Sequence, residues 1–250
     1  MQSELDSGTT ITALICVFMA PIVFLLMPLY VGALADDIGL SHQQIGLLTS
    51  LELFGSCLAA LSGLIWIRKI DWRRMAFASA LVLLVLNLTS IIVVDRFEIL
   101  ILVRIACGFS SGCLLAIAIS AMGDTTRLDR NFALAVAGQL SLSGVLFFVL
   151  PELIAQQGVN ILFGVFAGLA LVALVASYFI PCKGRDHNGK HLTSVVAWLP
   201  LWGLAGSTTF FLAQTALWAF VERMGVNAKF SAEFIGVALG VSTLVSVAAA

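Results

Sequence analysis

The sequence predicts an all-α membrane protein, a bundle of apolar helices that crosses the bilayer repeatedly. Three observations carry this. Of 250 residues, 60% are hydrophobic and only 11% charged, with a mean hydropathy of +1.07. A soluble domain carries about 25% charged residues, so this chain cannot build a water-facing shell and the bilayer must be its solvent. The apolar residues fall in long runs without period-two alternation. Lipid offers the backbone no hydrogen bonds, so each span is a helix or a closed-barrel strand, and the missing alternation selects the helix. Finally, a stretch beginning at Ser41 recurs at Ser231.

A span needs about 20 apolar residues. On that measure the sequence predicts eight helices, over 11–34, 44–67, 75–94, 98–122, 131–154, 158–180, 195–221 and 232–250. Pro21 and Pro28 lie inside the first and should kink it. Its N-terminal flank holds Glu4 and Asp6 but no Lys or Arg, unlike a cleavable signal, so this helix is expected to be retained. The longest polar connection, from Pro181 to Ser194, divides the chain into residues 1–181, a central loop over 182–194, and residues 195–250. The last helix ends at Ala248-Ala249-Ala250 with no charged flank, so the second half is expected to be truncated.

Orientation follows from Lys and Arg. The connections after helices 2, 4 and 6 hold nine: Arg68, Lys69, Arg73, Arg74, Arg127, Arg130, Lys183, Arg185 and Lys190. Those on the other side hold three: Arg96, Arg223 and Lys229. This asymmetry puts the N-terminus in the cytoplasm. A net charge of −1 gives no reason to expect nucleic acid or acidic partners. The five cysteines, Cys16, Cys57, Cys107, Cys113 and Cys182, have neither metal nor disulfide spacing and read as packing residues. No cofactor or metal is expected. Gly108-Phe-Ser110-Ser-Gly112 matches a hydrolase elbow, but sits mid-helix with every histidine in a loop, so no enzyme is expected. Asn87-Leu-Thr89 matches a glycosylation pattern but lies within a span.

The repeat has an offset of 190 residues. Ser41-His-Gln-Gln-Ile45-Gly46 aligns with Ser231-Ala-Glu-Phe-Ile235-Gly236, Ser56 with Ser246, and Ala59-Ala60 with Ala249-Ala250. Tyr30 aligns with the aromatic Phe220. Six helices separate the copies, and an even number preserves orientation, so the repeat is parallel, about an axis along the membrane normal.

Gly63-Leu-Ile-Trp-Ile-Arg68-Lys69-Ile-Asp71-Trp-Arg73-Arg74 follows helix 2, and helix 4 carries Arg104-Ile-Ala-Cys-Gly108-Phe-Ser-Ser-Gly112. With the six-helix repeat, these resemble the major facilitator superfamily. The first is a degenerate form of that family's cytoplasmic signature, with Ile67 at the position expected to hold Asp and Asp71 nearby; the second follows its Arg-x-x-x-Gly-x-x-x-Gly pattern. Asp124, Arg127 and Arg130 fit its habit of placing charges between helices 4 and 5. Helix 5, with Gly138-Gln139-Leu-Ser141-Leu-Ser143-Gly144, lacks the Gly-Pro run of the drug/proton antiporter branch.

The resemblance implies a major-facilitator-like bundle and a secondary transporter of a small organic solute, working by alternating access as a symporter or antiporter. The alternative is a transporter-like receptor or sensor that moves nothing. Expected partners are a small-molecule substrate, the lipid bilayer and protons, for a monomer in a bacterial inner membrane. Arg104 and Glu52 are ionisable residues at depth, which are functional by default. Arg104 either faces a central cavity, where it binds an anionic group or modulates a nearby proton site, or it snorkels to the outer interface or pairs structurally with another helix. Glu52 either carries a coupling proton, or is a carboxyl hydrogen-bonded to a neighbouring helix or one that lines the gap between halves. Gln139, Gln214, Trp218, Phe24 and Tyr30 are candidate substrate contacts, against interhelical hydrogen bonds for the glutamines and an aromatic belt for Trp218. Asp124 is a candidate cytoplasmic latch. Gly108 and Gly112, with Gly55, Gly63, Gly138 and Gly144, read as packing devices. Glu152 and Glu222 read as solvated interface charges.

Overall fold

The computed structural model describes residues 2–184 and 198–248, so residues 185–197, which hold most of the expected central loop, and the final Ala249-Ala250 pair of the repeat lie outside the described residues. Among those described, the chain is helical with short connections. The order is α1 (Gln2–Met19), α2 (Ile22–Leu25), α3 (Met27–Asp36), α4 (His42–Trp66), α5 (Trp72–Val93), α6 (Phe97–Gly123), α7 (Leu128–Gln157), α8 (Asn160–Ser177), α9 (Trp198–Asn227) and α10 (Ala232–Val247). Five of these, α4 to α8, are long and apolar enough to cross a membrane. Their outward faces are greasy too: Leu64, Ile65, Ile92 and Leu102 are all highly exposed. In lipid such residues need no cover.

The first expected span is three helices rather than one. Pro21 has no N–H to give the Val17 carbonyl, and Pro28 sits in the first turn of α3, so the helix is interrupted on both sides of α2. The freed carbonyls find other donors. Gln139 on α7 donates to Val17 O at 2.9 Å, and Ser111 on α6 donates to Ala20 O at 2.6 Å. A backbone break at membrane depth is stable only when its polar groups are met in this way.

The repeat is visible in the capping. Ser41 and Ser231 each accept from the backbone N–H three residues on, Gln44 and Phe234, both at 3.3 Å. At Ser41 the Gln44 side chain also accepts from the Ser41 N–H, a complete capping box. Both helices that follow therefore start one residue after the serine.

Packing joins α4 to α6, α5 to α6 and α8, α10 to α7, and α3 to α9. One core cluster gathers Leu26, Tyr30, Phe147, Phe163 and Phe166, and extends to Ala219, Ile235 and Leu239 on α9 and α10. A second, rich in alanine, surrounds Cys16, Trp72 and Leu114 toward the end of the bundle that carries the basic connections.

Candidate functional site

The site begins with a close approach of two helices. A side chain on Gly108 would strike the Glu52 carbonyl, and one turn on, a Cβ at Gly112 would stand 2.6 Å from Ser56 O. Only glycine lets α6 lie this close to α4. The contact sets the two backbones in parallel register, residue 52 beside 108 and 56 beside 112. Arg104, one turn before Gly108, therefore faces Glu52 at depth.

Arg104 is fully buried and Glu52 nearly so. The Arg104 Nε donates to Glu52 Oε2 at 3.0 Å and Nη2 donates to Glu52 Oε1, a bidentate fork. Nη1 donates to Asn87 Oδ1 on α5 at 2.9 Å and reaches Cys107 Sγ at 3.6 Å. The Tyr30 and Phe163 rings stand 5.5 and 5.4 Å from the guanidinium carbon, within cation–π range. An isolated Arg at membrane depth costs a few kcal/mol or more; here charge and donors are met by α4, α5 and α6, with rings from α3 and α8.

A cavity of about 210 Å³ reaches this network. Glu52, Asn87 and Cys107 line it, with Ser56, Ser111 and Gly108. Its remaining walls are apolar, from Met19 to Phe24, Leu53, Leu83, Leu115 and Phe166. The break at Pro21 contributes Ala20, Pro21 and Ile22 to this wall. The cavity thus offers a carboxylate, an amide and hydroxyls on an otherwise greasy surface, the usual build of a small-molecule site.

At the end away from the basic connections, α9 meets α3 through charges. Arg223 donates to Asp36 Oδ1 and Oδ2 at 2.8 and 2.6 Å, and to the Gly32 carbonyl at 3.1 Å. It also donates to Glu222 at 2.7 and 3.3 Å. The Arg223 hydrogen bonds hold the Asp36 carboxyl below the usual carboxylate range. Glu222, expected to be solvated, is instead buried, because the α3 backbone covers it at Gly32. Glu152 is exposed, as expected for an interface charge.

A family model described as Major Facilitator Superfamily matches residues 12–250. The chain belongs to the major facilitator superfamily. It is an integral, multi-pass membrane protein of a family of membrane transporters, whose members are not enzymes. Comparison with curated proteins gives no match.

Within this major facilitator protein, the candidate residues fall into three groups. Arg104, Glu52 and Tyr30 meet in one network, and Phe24 lines the adjoining cavity. Gln139 is committed to the Val17 carbonyl, Trp218 packs edge-on against Phe147 at 5.8 Å, and Gln214 is exposed, so these three stand apart from it. The signature residues gather at the basic end. Asp71 caps α5 by accepting from Arg74 N at 3.0 Å, with the Arg74 side chain at 3.6 Å. Arg73 donates to Ile180 O at 2.8 Å, and Trp72 N donates to Cys182 O at 2.9 Å, tying this loop to the segment after α8. Arg68 and Asp124 line a groove shared with Lys69 and Lys183, while Arg127 and Arg130 are exposed beside the start of α7. Gly63 has only loose neighbours, with a Cβ 3.9 Å from Ala116.

Asn87 and the Asp36–Arg223 pair are the participants that sequence reasoning missed. Asn87 was visible as a polar residue in a span, which needs a partner. Asp36 and Arg223 are charges at the same-side ends of two helices, but nothing in the sequence makes those ends neighbours.

Proposed function

We propose that this protein carries a small organic solute across the membrane by alternating access, with proton movement coupled through the Glu52–Arg104 pair. The observation that supports it is a buried, charge-paired carboxylate on the wall of a membrane-embedded cavity. The pair is neutral as it stands. A proton on Glu52 would leave Arg104 with an uncompensated charge in a low-dielectric interior, so protonation is favourable only if an anionic group of the solute takes the vacated guanidinium. Proton and solute then enter the cavity together, or leave it together, which is coupling by charge balance. Residues 1–181 and 195–250 belong, on this reading, to two halves that rock against each other, and the residues that line the cavity come from the first. The excess of basic residues after helices 2, 4 and 6 supports a cytoplasmic basic end.

The test uses the full-length protein in vesicles that enclose a pH-sensitive dye. A panel of small organic anions and neutral polar solutes is added outside, and proton movement that depends on both solute and protein is recorded. The expected result is proton flux with the wild type on at least one solute and none with Glu52→Gln. Equal fluxes from both proteins would remove Glu52 from the mechanism. A panel in which proteoliposomes never exceed protein-free vesicles would favour a sensing role instead.

A further inference from the structure

The α3–α9 seam holds one guanidinium between two carboxylates. Asp36 and Glu222 each receive two hydrogen bonds from Arg223, and no second cation among the described residues lies within ion-pair distance of them. With both carboxylates ionised, the cluster would carry one more negative charge than positive. The two carboxylates are not equivalent. The Asp36 side chain is 63% exposed, so water carries part of its charge, whereas that of Glu222 is 9% exposed. Glu222 lies flat against α3, where a Cβ on Gly32 would stand 2.8 Å from its Cδ and Oε2. Glycine leaves the space the carboxylate fills, and that space exists only while α3 and α9 are together.

We propose that Glu222 is a second proton site, filled when the α3–α9 seam closes and emptied when it opens, and distinct from Glu52. This rests on the alternating-access reading above. The charged groups facing Glu222 are Arg223 on its own helix and Asp36 on α3. A buried carboxyl that shares its only cation with another carboxylate is least costly when neutral. When the seam parts, water replaces the Gly32 backbone and the ionised form is favoured. One Glu222 oxygen then takes a proton from water on closure and returns it on opening, with no other bond changed. The closed state holds the proton more tightly than the open one. Acid on this side of the membrane therefore favours closure, and that advantage fades as pH rises through the closed-state value.

The test reads the seam directly. Ala219, nearly one turn before Glu222 and 9% exposed, is replaced by cysteine in the full-length protein in membranes. Its reaction rate with a water-soluble methanethiosulfonate is followed by peptide mass spectrometry from pH 5 to pH 8. Dividing by the rate in Glu222→Gln, measured at each pH, removes the intrinsic pH dependence of the thiol. The ratio is expected to rise about tenfold over this range, because the neutral variant stays closed while the wild type opens. Asp36→Asn leaves Arg223 wholly to Glu222 and should flatten the rise. A flat ratio in the wild type, or faster labelling in Glu222→Gln than in the wild type, would overturn the proposal. If Glu222→Gln does not reach the membrane, the wild-type to Asp36→Asn ratio serves the same purpose: a rise with pH supports the proposal and a flat line overturns it. Labelling needs no solute, so a flat ratio beside proton-coupled flux sinks only this proposal. A rising ratio without flux supports it and sinks only the transport reading.

Discussion

Removing one partner of the Glu52–Arg104 fork should be far more damaging than removing both. Glu52→Gln leaves a fully buried guanidinium with only neutral partners, the new amide oxygen, Asn87 and Cys107. Arg104→Gln leaves a buried carboxylate that has lost both of its guanidinium donors. Breaking a buried pair from either side costs about 3–5 kcal/mol. The double variant carries no charge, and its two amides can hydrogen-bond to each other, so its loss should be about 1–2 kcal/mol. The coupling between the two positions is then about 4 kcal/mol or more. Ordinary polar pairs between membrane helices average about 0.6 kcal/mol in such cycles, so the two readings are well separated. Equilibrium unfolding of all four proteins in mixed detergent micelles measures the coupling. A value below about 1 kcal/mol would mean that Arg104 and Glu52 are not held as a desolvated pair, and the charge-balance argument for coupling would go with it.

Gly108→Ala should separate α4 from α6, since the added methyl meets the Glu52 carbonyl; a loss of about 1–3 kcal/mol is expected in the same unfolding measurement, and a neutral result would contradict the close approach. Gln139→Leu should cost about 1–2 kcal/mol by stranding the Val17 carbonyl. In a Pro21→Ala background that cost should shrink, because residue 21 regains an N–H for the same carbonyl; an undiminished cost would refute the assigned role of Gln139. In a Glu222→Gln background, where Glu222 no longer titrates, Asp36→Asn should weaken the seam by less than about 1 kcal/mol, discounted for the exposure of Asp36. Because Arg223 lowers the Asp36 proton affinity, the pair contributes fully above the ordinary carboxylate range and is lost only as pH falls through the depressed value. In that background the stability cost of Asp36→Asn should thus be constant from about pH 5 to pH 8, and a cost that vanishes by pH 6 would be inconsistent with it.

Hydropathy and composition determine that the chain is a membrane helix bundle, because lipid permits few ways to satisfy a backbone. The spans were legible for the same reason: α4 to α8 begin and end within a few residues of the apolar runs. The repeat and the Arg104–Gly108–Gly112 spacing were legible as well, and they point to the superfamily. The interruption at α2 was legible as a kink, since proline acts locally.

The partner of each polar group was not legible, because a helix fixes which residues share a face but not which helix that face meets. Arg104 and Glu52 were both suspect from depth alone, yet only the glycine-mediated contact of α6 with α4 joins them. Gln139 had the chemistry of a ligand contact, and tertiary packing set it against a carbonyl that Pro21 had freed. Glu222 looked solvated because it ends a span, and the α3 backbone at Gly32 buried it. The sequence by itself determined the solvent, the helices and their caps, through local backbone chemistry and the cost of charge in lipid. The tertiary structure decided the Arg104 network, the cavity and the Asp36–Arg223–Glu222 seam, because each depends on distances between helices far apart in the chain.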